Sequence, residues 1–301
     1  MRVVSLIPSA TEILFAVGAG DDVVGVTFEC DHPPQARERT IVSSTTLPSG
    51  LSPREIDEAV AAAVARGEDL YRLDEGALAG LDADLVVTQD LCAVCALDVA
   101  TVDDALAHLA CTADVLTVDP HTLEEVLASV VTIGEAVGRG ADAEVVVASL
   151  RARLDAVAAR VAGRHRPRVA VLEWTDPPYA PGHWIPEMVA LAGGECVLGA
   201  PGGRSGRVTW EDVHVARPDV VVVAPCGYDR DGAAEQARAL LDAGLLPEGV
   251  TVHPVDADGM WARPGPRLVD GVEELADLLH GSATVPEAPV SAAAATASSS
   301  S

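Results

Sequence analysis

Val4-Ser5-Leu6-Ile7-Pro8-Ser9-Ala10-Thr11-Glu12-Ile13-Leu14 changes its period within eleven residues. An apolar run from Val3 to Ile7 reads as a buried strand. Pro8 then breaks it, and Ser9 with Glu12 three positions later places a side-chain acceptor ahead of a first helical turn. Strand, short loop and helix in this order form the building block of a parallel sheet. The same unit recurs further along: strands are expected at Val23 to Thr27, Asp84 to Thr88 and Val115 to Val118, and helix starts at Ser52-Pro53 with Glu55 and at Thr101 with Asp104. Residues 1–119 therefore predict one N-terminal α/β lobe.

A second set begins at Arg168, with strands at Val169 to Leu172, Val220 to Val223 and Thr251 to Pro254. Helices are expected around Ile185 to Leu191, Ala233 to Ala243 and Pro266 to Leu279, so residues 166–281 predict a C-terminal α/β lobe. Between the lobes, residues 120–165 are helical in pattern, with Leu123, Val126, Leu127, Val130, Val131 and Ile133 on one side. This segment predicts a stiff linking backbone helix, interrupted at most near Gly138-Arg139-Gly140. Residues 282–301 are rich in Ala and Ser, bury too little apolar surface to order, and are read as a tail. The expected fold class is α/β: two Rossmann-like lobes with mainly parallel sheets, bridged by a long helix.

The chain has 301 residues, about twice the size of a typical domain, and 49% of them are hydrophobic, enough for two cores. A formal net charge of −26 repels nucleic-acid phosphates and anionic membranes, so neither is expected as a partner. All 20 basic residues are arginine, which carries no functional message. No apolar run approaches the roughly 20 residues of a membrane span, so no membrane insertion is expected. The opening apolar stretch is too short for a signal core, and six cysteines without an export signal fit free thiols or metal ligands in a reducing compartment. The expected location is cytoplasmic, with export of a chain whose signal has been removed as the alternative.

Several motifs taken together resemble the substrate-binding proteins of cobalamin and iron-siderophore ABC importers, the family in which one backbone helix joins two α/β lobes. Val4 to Leu14 resembles the family's first strand and helix, and Val24-Gly25-Val26-Thr27 followed by Asp31-His32-Pro33-Pro34 its second strand and loop. Leu81-Asp82-Ala83-Asp84-Leu85-Val86 resembles a strand-opening pattern in which Ala83 takes the place of a proline. Ala216-Arg217-Pro218-Asp219-Val220-Val221 repeats it with the proline intact. Glu173-Trp174-Thr175-Asp176-Pro177-Pro178-Tyr179, Leu191-Ala192-Gly193-Gly194, and Trp261 ahead of Pro266-Arg267 resemble second-lobe landmarks. The resemblance spans about residues 1 to 280 and rests on the ordered set. It implies a small-molecule receptor without enzymatic activity, with cobalamin or a related corrinoid as ligand in the cleft between the lobes. For an exported member it also implies an ABC permease as partner.

The residues themselves point to the same edge of each lobe. In open α/β sheets ligands bind beyond the carboxyl ends of the strands, where loops and helix N-termini converge. In the first lobe that edge carries Pro8, Ser9, Phe28, Glu29 and Asp31; in the second it carries Glu173, Trp174, Tyr179, His183, Cys226 and Trp261. The chain has nine aromatic residues, and Phe28, Trp174, Tyr179, Tyr228 and Trp261 all fall on strand-end loops. Rings gathered at a rim suit a large, flat, partly apolar ligand. The other reading makes Trp174 and Trp261 packing residues that cap the sheets. A catecholate ferric siderophore favours convergent arginines, and only Arg204, Arg207 and Arg263 are candidates.

Cys30, His32, Cys92 and Cys95 allow a second reading. A CxxC pair with a further thiol or imidazole can hold a transition metal in a tetrahedron. On that reading the chain is a thiol-dependent metal-binding protein or metalloenzyme. Buried cysteines also serve simply as small hydrophobes. Gly199 to Gly206 lacks the Lys and Ser/Thr of a phosphate loop and is predicted as a mobile loop.

Overall fold

In the computed structural model, which describes residues 1–89, 113–281 and 290–291, the opening segment folds as strand β1 (Val3–Ser5) followed by helix α1 (Pro8–Ala16). Ile7 is the N-cap, Pro8 takes the first turn, and no side chain caps the helix. The expectation that Ser9 caps α1 is thereby corrected. Proline's fixed φ and missing N–H suit the first helical position, so the helix begins one residue before the serine. Ser52 behaves as expected: it caps α2 (Pro53–Arg66) in a reciprocal capping box with Glu55. The helix start expected at Thr101 lies outside the described residues.

The chain divides into two units. Unit 1 comprises Met1–Pro120, Glu124–Leu150 and Pro264–Pro266; unit 2 comprises His121–Leu123, Arg151–Arg263 and Arg267–Ser301. The helical stretch expected as a separate linker is thus shared between the units, changing over at Leu150. It forms two helices, α4 (Leu123–Ala136) and α5 (Gly140–Val161). The break falls where the Gly-Arg-Gly sequence allows it: Gly138 adopts φ 70, and the Arg139 N–H closes back on the Gly134 carbonyl at 2.6 Å.

Unit 1 is built on a parallel sheet in the order β3-β2-β1-β6-β7, from β2 (Val23–Val26), β3 (Thr40–Ile41), β6 (Leu85–Gln89) and β7 (Asp114–Val118) around β1. A two-stranded antiparallel ribbon, β4 (Ser43–Thr45) with β5 (Tyr71–Leu73), and the short helix α3 (Glu75–Ala79) complete its described elements. Val4, Leu6, Val42, Leu81 and Val86 form a buried cluster on one sheet face, as expected for parallel strands covered by crossover helices.

Unit 2 carries a second sheet in the order β11-β8-β13-β14-β15. It comprises β8 (Arg168–Leu172), β11 (Glu195–Cys196), β13 (Val220–Val223), β14 (Thr251–Pro254) and β15 (Val290–Ser291). All its pairings are parallel except that of β15 with β14. Val290–Ser291 thus joins the sheet from within the stretch read as a tail. Helices α6 (Ile185–Leu191), α7 (Trp210–Ala216), α8 (Arg230–Asp242), α9 (Ala257–Met260) and α10 (Leu268–His280) accompany the sheet. Leu172, Val213, Val221, Val223, Leu240 and Val252 form its core cluster. Beside the main sheet stands a small antiparallel one, β9 (Trp174–Thr175), β10 (Pro178–Ala180) and β12 (Gly206–Arg207). Arg153 fastens α5 to α10 through Glu273 at 2.9 Å and Asp270 at 2.5 Å. Among the described residues no helix is long and apolar enough to cross a membrane.

Candidate functional site

In unit 1 the chain leaves β1 toward β2 and β3 on one side and later adds β6 and β7 on the other, so the strand order switches between β1 and β6. Loops diverge at such a switch and leave a crevice at the strand ends. Pro8 and Ser9 follow β1 there, and Ser9 is buried. Beneath them runs a closed chain of polar atoms: Thr11 Oγ1 donates to Ser5 Oγ at 2.8 Å, and Ser5 Oγ donates to the Ile7 carbonyl at 3.0 Å. The Cys30 sulfur lies 3.1 Å from Thr11 Oγ1 and 3.2 Å from Thr27 Oγ1. After β2, Phe28 stacks on Tyr71 with centroids 5.7 Å apart, and the Tyr71 hydroxyl donates to Glu29 Oε1 at 3.1 Å. Asp31 is exposed. Tyr71 comes from the β4–β5 ribbon and escapes strand-end reasoning, because a two-stranded ribbon side chain is aimed by pairing that the sequence does not announce.

Unit 2 has its switch between β8 and β13. Glu173 and Trp174 follow β8; Cys226 and Tyr228 follow β13; the Cys226 N–H donates to the Glu173 carbonyl at 3.1 Å and ties the two loops together. Trp174 and Tyr228 meet as a tilted ring pair at 5.9 Å. Cys226 is exposed. Tyr179 lies on β10, where its hydroxyl accepts from Arg207 Nε at 2.9 Å while the guanidinium sits over the ring at 5.8 Å. His183, at φ 50, stands between His121 and Trp184, each ring pair 5.5 Å apart. Of the rings expected at this edge, Trp174, Tyr179 and Tyr228 are only partly buried. Trp261 departs from expectation: it is fully buried, and its carbonyl accepts from Trp184 Nε1 at 2.8 Å. The structure places Trp261 as a packed residue, since a ring with no exposed face has none to offer a ligand.

Glu173 is the electrostatic centre of this edge. Dehydration pushes its carboxyl up to about 7, against the opposing pull of hydrogen bonds from the Ser205 hydroxyl and the Gly182 N–H. Of the three candidate arginines, Arg263 pairs with Asp258 at 2.6 Å and Arg207 is held by Tyr179, while Arg204 is exposed. The loop 199–206, predicted mobile, is anchored instead: the His183 N–H donates to Gly203 O at 2.6 Å and the Gly202 N–H to His183 O at 2.9 Å.

Of the four residues of the metal reading, Cys30 and His32 fall among the described residues. Cys30 is buried among hydroxyls, whereas His32 is exposed and lines a surface hollow of about 600 Å³ with Phe15, Glu38 and Arg39. Among the described residues no three His, Cys, Asp or Glu side chains converge as a metal site. Cys92 and Cys95 lie outside the described residues.

Two α/β units, each with rings and polar groups at its strand switch, fit the class of solute-binding proteins. Residues 3–241 match the periplasmic binding protein family, and the chain belongs to it. Over 290 residues, 93% of this chain and 80% of the relative, it is 26% identical to an uncharacterized ABC transporter substrate-binding lipoprotein, YvrC, of Bacillus subtilis. A stretch of 37 residues, 12% of this chain and 13% of the relative, is 54% identical to a vitamin B12-binding protein of Vibrio cholerae. The fold is shared with the periplasmic vitamin B12 binding protein BtuF of Vibrio cholerae, at 22% identity and TM-score 0.62 over 92% of this chain and 96% of that one. It is also shared with a periplasmic heme binding protein from Pseudomonas aeruginosa, at 19% identity and TM-score 0.68 over 96% and 94%.

These findings overturn the expected cytoplasmic location: the family is one of periplasmic binding proteins, and the similar proteins are named as periplasmic or as a lipoprotein. Val3–Ser5 form β1, the central strand of the unit 1 sheet, so the apolar run there reports on the sheet and not on export.

Proposed function

We propose that this protein is the exported receptor of an ABC importer, that its ligand is cobalamin or a related corrinoid, and that it passes this ligand to a permease without chemical change. The observation that carries the reading is the unit 2 edge: the Trp174–Tyr228 ring pair stands at the strand switch next to Glu173, whose carboxyl burial pushes up to about 7. A corrin is broad, partly apolar and fringed with carboxamides, whose N–H groups suit Glu173. Haem brings two propionates and a catecholate siderophore brings several negative charges. Those charges are costly to bury, and the −26 chain repels them at long range as well. The short segment of high identity to a vitamin B12-binding protein supports the same choice.

The test is a titration of the purified protein with cyanocobalamin, aquocobalamin and haemin, followed by visible absorbance and calorimetry. A dissociation constant of about 1 μM or tighter for a cobalamin, with haemin at least about tenfold weaker, is expected. Binding of haemin with no heat or spectral change from either cobalamin would overturn the proposal.

A further inference from the structure

His121 and His183 meet in unit 2 as a ring pair, with centroids 5.5 Å apart and planes tilted by 31°. The segments that carry them are braced. The His183 N–H donates to Gly203 O at 2.6 Å and the Gly202 N–H to His183 O at 2.9 Å, which holds this residue at φ 50. Such a backbone is uncommon outside glycine, and where the surroundings enforce it the side chain leaves in a fixed direction. The segment His121–Leu123 is fastened to the first turn of α6: the Leu123 N–H donates to Glu187 Oε2 at 2.6 Å, four residues beyond His183. Trp184 stacks near His183 with ring centres 5.5 Å apart and is itself anchored by its Nε1 donating to Trp261 O at 2.8 Å. Both imidazoles remain partly exposed, so they are held at a set spacing within reach of solvent.

We propose that His121 and His183 form a binding site for a divalent transition-metal ion, with copper(II) preferred. Metal–nitrogen bonds of about 2.1 Å put the centres of two imidazoles about 5.2 Å apart when they share an ion at the tetrahedral angle, so the observed 5.5 Å needs little movement. Either ring nitrogen can turn toward the neighbour, because rotation about the terminal χ2 of histidine is soft. Among the described residues no third His, Cys, Asp or Glu completes a cluster, and the other positions of the ion fall to water or a small exogenous donor. Imidazole nitrogens favour copper(II) over zinc, nickel and cobalt, whereas magnesium and calcium want oxygen ligands. The net charge of −26 enriches cations around the chain, and the braced backbone leaves little ordering to oppose binding. The site lies within unit 2 and takes the metal alone, so its failure and that of the corrinoid reading are separate.

The test is calorimetric titration of the purified full chain, freed of metal by chelator, with copper(II), zinc and magnesium chlorides. One copper(II) per chain with a dissociation constant of about 10 μM or tighter is expected, zinc about tenfold weaker, and no heat from magnesium. His183→Asn removes one imidazole with a residue that tolerates φ 50, and His121→Gln removes the other; each should weaken copper about tenfold or more. Electron spin-echo modulation of the wild-type copper complex, which senses the remote nitrogen of each bound imidazole, counts the ligands without any substitution, and two are expected. This count decides the matter should either variant fail to fold. Fewer than two imidazoles on the copper, affinity unchanged in both folded variants, or no copper bound at about 100 μM overturns the proposal and leaves the pair as a stacking contact.

Discussion

The two strand-switch edges solve the problem of polar groups at a dry sheet end in opposite ways. Unit 1 closes most of its groups on one another: Ser5, Thr11, Thr27 and Cys30 form a continuous chain of contacts and Glu29 takes a hydroxyl from Tyr71, while the Thr88 hydroxyl on β6 stays buried without a partner among the described residues. Unit 2 leaves Glu173 dehydrated, with two neutral donors and a carboxyl raised to about 7. A satisfied network stiffens an edge, whereas an under-compensated carboxyl stores a preference for whatever brings it donors, charge or water. The contrast assigns support to the unit 1 edge and response to the unit 2 edge.

The largest effect expected is steric and separates the two units at one kind of residue. Gly199→Ala in unit 2 must overlap Pro181 O at φ +79, while Gly50→Ala in unit 1 meets a similar φ of +83 with nothing within 4 Å. The first should lower the unfolding free energy in urea by about 3 kcal/mol or more and the second by about 1 kcal/mol. Equal losses would show that the loop around Gly199 has room to spare.

Titration comes next, and its sign differs between units. Glu173 is raised in the fold, so the stability it lends is full below 4.5 and is lost as pH climbs to about 7. Glu173→Gln should therefore gain on the wild type across that window, by up to about 3 kcal/mol, in urea melts taken at pH 4.5 and 7.5. Glu55 in unit 1 is lowered by its hydrogen bonds to Ser52, and its contribution is lost on acidification instead. A Gln variant that tracks the wild type at both pH values would remove the asymmetry.

On ligand binding, Trp174→Ala should weaken cobalamin about tenfold or more and Phe28→Ala clearly less, because the Phe28 ring is already stacked on Tyr71. Calorimetry on the two variants measures this, and a larger loss at Phe28 would reverse the assignment of edges. The smallest effect is expected for Tyr71→Phe, which removes the bond to Glu29 and should cost about 0.5–1 kcal/mol in thermal or urea unfolding.

Much of this architecture was legible because period and punctuation are local. The runs at Val169 to Leu172, Val220 to Val223 and Thr251 to Pro254 appear as β8, β13 and β14 within a residue of where alternation and flanking turns put them. Ser9 as a cap failed because Pro8 competes for the same turn, a contest between two local signals that composition does not decide. At the candidate site, strand-end reasoning reached Glu173, Trp174 and Tyr228, yet it could not separate Trp174 from Trp261. Both are tryptophans after a strand. Only packing around each ring distinguishes the partly buried one from the enclosed one. Tyr71, Ser205 and Gly182 were missed because nothing near them in the chain hints at Phe28, Glu29 or Glu173.

What the amino-acid order determined by itself is the alternation of strand and helix, the two-unit plan and the edge at which loops gather, since these follow from hydrophobic period and from proline and glycine placement over a few residues. Tertiary structure alone decided which polar groups satisfy one another and which remain dry. Hydration and hydrogen bonding are properties of the space around an atom, and that space is filled by residues tens of positions away, as Ser205 and Gly182 fill it around Glu173.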